Sequence, residues 1–152
     1  MTLLSDYSST TYIKRLKSRN KFKAIEELAR SFENADVCVD LDGLVSALIE
    51  REKIMSTGIG FGIAIPHAKI SSVNRIAFAV GISKTGIDFD SIDGKPVHII
   101  ILVAAGEKQH KDYLKLLSRI MSVLKQEEAR SRLIDSSSNE DILKTFQIAV
   151  DS

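Results

Sequence analysis

The chain has 152 residues, 44% of them hydrophobic and 27% charged, and its 21 basic and 20 acidic residues leave a net charge of +1. That is apolar material for one globular domain, and the balance gives no electrostatic basis for a nucleic-acid or acidic-membrane surface. The single cysteine, Cys38, excludes an internal disulfide and suits a reducing, cytoplasmic setting.

Residues 1–9 are Ser-rich, show no leader pattern, and are expected to form a loose arm ahead of a single domain at residues 10–150. Thr10 to Leu16 is β-branched and aromatic enough for a strand. Phe22, Ile25, Leu28, Ala29 and Phe32 fall at helical spacing. Asp40 reads as the N-cap of a second helix, with a stripe of Leu41, Leu44, Val45, Leu48 and Ile49 that ends near Arg51-Glu52-Lys53. Three alternating glycines follow, Gly58, Gly60 and Gly62, then Ile63 to Ile65 as a short strand.

Ile76 to Ile82 predicts another strand, Thr85-Gly86 a turn, and Ile87 to Phe89 the returning arm of a hairpin. After an Asp93-Gly94 turn, Val97 to Val103 is a continuous apolar run, as in a central strand buried on both faces. The run extends to Ala105, too short to span a bilayer. Tyr113, Leu114, Leu117, Ile120, Met121 and Leu124 form a helical stripe. Ser137 with Glu140 fits a capping box ahead of Ile142, Leu143 and Phe146. The order implies an α/β fold, a mixed sheet with helices on its faces.

The chemistry concentrates at Thr57-Gly58-Ile59-Gly60-Phe61-Gly62-Ile63-Ala64-Ile65-Pro66-His67-Ala68-Lys69. The glycines do not make a dinucleotide fingerprint, since Ile63 stands where the third glycine is required and a helix precedes them. Gly81 to Gly86 has P-loop glycine spacing, but Ile87-Asp88 replaces the Lys-Ser/Thr that binds phosphate and magnesium. No metal-ligand spacing and no serine-hydrolase elbow occurs, so neither metal nor cofactor is expected. Glycine does permit close approach of backbone N–H groups to an anion.

Pro66 fixes its own φ and extends Ile65, so strand pairing is expected to stop there, with His67 emerging at the strand end. A neutral imidazole is a competent nucleophile near neutral pH. It can take a phosphoryl group with little acid–base help, because that transfer depends on alignment and charge stabilisation. Lys69 and Arg51 are the candidate counter-charges. His98, inside the apolar run, is expected to be a hydrogen-bonded strand histidine.

Arg51-Glu52 followed by Thr57 to His67 resembles the phosphorylation-site motif of the fructose/mannitol-type enzyme IIA domains of the phosphoenolpyruvate-dependent phosphotransferase system. That branch includes the stand-alone nitrogen-regulatory enzyme IIA proteins. Asn20 to Leu28, Gly86 to Asp90, Asp93 to Val97 and Leu114 to Arg119 extend the resemblance across residues 12–146.

The resemblance implies a five-stranded mixed sheet flanked by helices. It also implies a cycle in which His67 accepts phosphoryl from an HPr-type carrier as a tele-phosphohistidine. His67 then passes the group to an enzyme IIB, or holds it as a regulatory mark. Arg51 would neutralise phosphoryl charge, and Thr57, Gly58, Gly60, Gly62 and Lys69 would form the phosphoryl-binding loop. A second family histidine sits beside the first. Counting from the strand end places it at His110, and counting back from Leu114 places it at Tyr113. The rival reading is a regulatory binding protein, switched by phosphorylation of His67 without onward transfer.

Overall fold

In the computed structural model, residues 1–151 are described. Strand β1 (Ile13–Arg15) is followed by α1 (Lys21–Ala29) and α2 (Leu41–Ile54). Three short strands come next, β2 (Gly58–Gly60), β3 (Ile63–Ala64) and β4 (His67–Lys69). Two long ones follow, β5 (Ala77–Ile87) and β6 (Val97–Ala105). Helices α3 (His110–Leu124), α4 (Glu127–Asp135) and α5 (Asn139–Lys144) complete the fold. Both of the first two helices are capped by side chains, the second by the expected Asp40. Asn20 Oδ1 accepts from the N–H groups of Phe22 and Lys23, and Asp40 Oδ1 accepts from that of Gly43.

The strands form one mixed six-stranded sheet in the order β1-β5-β6-β3-β2. Strand β6 is its axis. It pairs antiparallel with β5 on one side and parallel with β3 and then β4 on the other. Its apolar run is buried on both faces because each face carries helices. Ile99, Ile101 and Val103 join a core with Leu116, Ile120 and Phe146. Ile100, Leu102 and Ala104 join a second core with Ile25, Leu28, Leu44 and Leu48. The alternation is the two-residue period of a strand packed on both sides.

Several sequence-based expectations change. Six strands replace five, because Pro66 lacks the N–H a continuous strand would need and the Ile63–Lys69 segment divides into β3 and β4. Residues 85–86 are not a turn. Strand β5 runs through them, its register against β6 shifts between Ile82 and Ile87, and Gly86 takes φ 86°. The hairpin joins β5 to β6 instead. Thr10–Tyr12 is a single 3-10 turn, leaving only Ile13–Arg15 to pair with β5. The cap of α5 is Ser138, which accepts from the Asp141 N–H, one residue beyond the expected Ser137. The first nine residues are not a loose arm. Leu4 is fully buried, and the N–H groups of Leu4 and Ser5 donate to Ile148 and Phe146 carbonyls.

Candidate functional site

Strand β4 begins at His67 rather than ending before it. Ile65 N–H donates to the Thr57 carbonyl, and the Pro66 carbonyl accepts from Val103 N–H. His67 then pairs with Val103 on β6. The interruption is two residues wide, and it frees the Ile65 carbonyl to accept from His67 Nδ1 at 3.0 Å. A carbonyl can only accept, so Nδ1 carries the ring proton and Nε2 keeps its lone pair. Burial lowers the His67 pKa below 6.5, and the Arg51 and Lys69 charges act in the same direction. The hydrogen bond to Ile65 and the Glu52 carboxylate oppose them. The ring is therefore a neutral, oriented nucleophile near pH 7.

His67 opens into a groove of about 660 Å³. Arg51, Ser56 and Thr57 line it from the end of α2 and the following segment, and Leu114, Leu117, Ser118 and Met121 line it from α3. Ile59, Phe61 and Ile65 complete it. Phe61 is 75% exposed, whereas Ile63 is buried. Arg51 donates from Nη1 to the Met55 carbonyl at 2.8 Å, which ties its guanidinium to the end of α2.

Glu52 is the residue whose part the sequence reading missed. It is 2% exposed, and its two carboxylate oxygens accept from Thr57 N–H at 2.8 Å and Thr57 Oγ1 at 2.6 Å. Lys21 Nζ lies 3.6 Å away. The signal was present: Glu52 continues the buried stripe of Leu44 and Leu48 at four-residue spacing, where a charge has to find partners.

The glycines have a different place from the one expected. Gly58–Gly60 pairs antiparallel with Ile63–Ala64, so the stretch is a tight hairpin. Gly60, Phe61 and Gly62 have φ of 97°, 57° and 74°, a backbone path that favours glycine. The N–H groups of Thr57, Gly58 and Phe61 donate to Glu52, Ser56 and Asp93. Thr57 is in the groove lining with His67, and Gly58, Gly60 and Gly62 are not.

Tyr113, not His110, adjoins His67. The ring centroids of His67 and Tyr113 are 5.8 Å apart, and Tyr113 is 5% exposed. His110 begins α3 one turn earlier, with its ring 6.2 Å from Tyr113 and its Nδ1 2.5 Å from Lys69 Nζ. His98 is the hydrogen-bonded strand histidine expected, with Nδ1 at 2.8 Å from the Ser83 carbonyl. No helix among the described residues is long and apolar enough to cross a membrane.

Known proteins resemble this chain in sequence and fold. The chain is 39% identical over 128 residues to the PTS system fructose-specific EIIABC component of Bacillus subtilis, covering 84% of itself but only 20% of that longer protein. Its fold superposes on nitrogen regulatory protein IIA-Ntr from Neisseria meningitidis with TM-score 0.88 and 26% identity, covering 96% of this chain and 100% of that one. It matches the Escherichia coli mannitol enzyme IIA, solved in complex with phosphorylated mannitol enzyme IIB, with TM-score 0.77 and 20% identity over 91% of this chain and 95% of that one. The family model for the phosphoenolpyruvate-dependent sugar phosphotransferase system, EIIA 2, matches residues 8–148, and the chain belongs to that family.

Proposed function

We propose that the protein is a phosphocarrier that takes a phosphoryl group on Nε2 of His67 from the phosphohistidine of an HPr-type protein. The observation that carries this reading is the Nδ1 hydrogen bond to Ile65, which leaves the Nε2 lone pair unprotonated in a protein that keeps the ring neutral. In the transfer the donor's P–N bond breaks and its imidazole keeps the electron pair. The Nε2 lone pair of His67 makes the new P–N bond. The Nδ1 proton stays in place, and the Ile65 carbonyl offsets the positive charge the ring then acquires. Arg51, on the same groove, supplies cationic charge toward the phosphoryl oxygens. Bound metal and cofactor have no part in these steps.

The acceptor of the group is an enzyme IIB or a regulated protein in the cytoplasm. The shallow groove with exposed Phe61 and Leu114 at its edge suits brief docking of either. The resemblance to IIA-Ntr along nearly the whole chain favours a second reading beside transport, in which phospho-His67 is a regulatory mark.

Incubation with phosphoenolpyruvate, enzyme I and an HPr-type carrier tests the central claim. Acid-labile label is expected in the wild type and none in His67→Ala; equal labelling of the two would sink it. Donation from the labelled protein to an enzyme IIB separates transport from a purely regulatory role.

A further inference from the structure

His67 and Lys69 are two residues apart on β4, so their side chains leave the same side of the strand. Facing them are Tyr113 and, one helical turn earlier, His110. The Lys69 ammonium lies 5.2 Å from the Tyr113 ring centroid and 2.5 Å from His110 Nδ1. The His67 ring is 5.8 Å from the same tyrosine. An ammonium has no lone pair, so it donates, Nδ1 of His110 accepts, and the His110 proton sits on Nε2.

No carboxylate pairs with Lys69 among the described residues. A ring face and a neutral imidazole are the weaker partners of an ammonium, and a phosphoryl dianion is the stronger one. The lysine stem is flexible and its strand position is shared with the nucleophile.

We propose that Lys69 is a two-position cation. With His67 unmodified, it is parked between His110 and Tyr113. With His67 phosphorylated, it swings to the phosphoryl oxygens, leaving His110 Nδ1 and the tyrosine face open on the first turn of α3. That turn adjoins Leu114, which is 52% exposed on the rim of the groove. A docking protein therefore meets a different α3 surface in the two states, and the charge on His67 is displayed beyond His67 itself. The inference rests on phosphorylation of His67, and the differential affinity of Lys69 for its two positions drives the change.

The test uses the full chain labelled with ¹³C-lysine and phosphorylated with phosphoramidate, a small donor that needs no protein partner. Before phosphorylation, the Lys69 ε-methylene protons are expected upfield, in the ring current of Tyr113. When ³¹P signal appears on His67, they are expected to move to ordinary lysine positions, and the His110 imidazole signals to move with them. In Lys69→Met, the His110 signals should no longer respond to phosphorylation. Its phosphoramidate rate should fall about tenfold, as for loss of a charge-assisted contact, while Lys69→Arg keeps most of the rate. A phosphorylated His67 with unmoved Lys69 signals overturns this inference and leaves the phosphocarrier reading standing. Failure of both phosphoramidate and the phosphorylated HPr-type carrier to label His67 overturns both.

Discussion

Thr57 donates its backbone N–H and its hydroxyl to opposite oxygens of the Glu52 carboxylate, at 2.8 and 2.6 Å, with the acid only 2% exposed. The pair clamps the end of α2 to the start of β2, and so sets where Arg51 and Ile65 stand relative to His67. Glu52→Ala removes the acceptor of two buried donors and the partner of Lys21. It is expected to cost about 3 kcal/mol in urea unfolding and to slow phosphorylation of the folded protein as well. Thr57→Val, which loses only the hydroxyl bond, is expected to cost about half of that. An Ala variant with unchanged midpoint would remove the clamp from this account.

The pH dependence of phosphorylation follows from the His67 environment. Burial first, then Arg51 and Lys69, hold its pKa below 6.5, so the nucleophilic neutral form persists where a free imidazole is already half protonated. The acid limb of the rate profile is expected below pH 6.5. Arg51→Met should move that limb upward, toward but not past the free value, because burial remains. The same depression has a stability consequence. The unfolded chain binds the proton at higher pH than the native one, so this residue's contribution is present above pH 6.5 and is lost as the pH falls through the native pKa. An NMR titration of the His67 ring protons, with unfolding at several pH values, checks both signs.

Tyr113 fills the space beside His67 with a ring, and its pKa is raised by burial. Its phenol therefore stays protonated through the working range. Tyr113→Phe keeps the ring and is expected to change stability by less than about 1 kcal/mol. Tyr113→Ala opens a cavity and should cost about 3 kcal/mol, with a visible loss of order in the His67 ring signals. Thermal melts of the two variants decide whether the ring or the hydroxyl matters to the fold.

Gly60 and Gly62 have room for a methyl group, the nearest neighbours of an added Cβ lying 3.5 and 3.6 Å away, but their φ values are positive. Alanine at either site is expected to cost about 1 kcal/mol through backbone strain alone. Phosphoramidate labelling of the folded variants should remain at the wild-type rate. A rate loss without a stability loss would return the glycines to the phosphoryl site.

Docking can be separated from chemistry at the groove rim. Phe61→Ala removes an exposed ring that stacks under the Arg130 guanidinium at 5.1 Å. It is expected to raise the apparent KM for an HPr-type donor several-fold, as for a rim aromatic, while leaving phosphoramidate labelling unchanged. Loss of both activities would place Phe61 in the chemistry instead.

Much of this protein was legible in the chain itself. Helical spacing located α1, α2 and α3, and the unbroken apolar run of β6 announced a strand covered on both faces, because burial needs apolar side chains wherever the backbone goes. The motif from Arg51 to His67 pointed to the family by its resemblance to a known site, and the family model matches residues 8–148. Local pattern misled where a glycine or proline has more than one use. Gly86 reads as a turn but lies inside β5, and Gly60 and Gly62 read as an anion cradle but shape a hairpin. Pro66 was expected to end strand pairing, yet β4 resumes at once, because β6 offers a second stretch of unpaired backbone beyond β3. The tertiary structure alone decided between His110 and Tyr113. Both lie on one face of α3 a single turn apart, and only the depth at which β4 packs against that helix selects which ring meets His67 and which one holds Lys69.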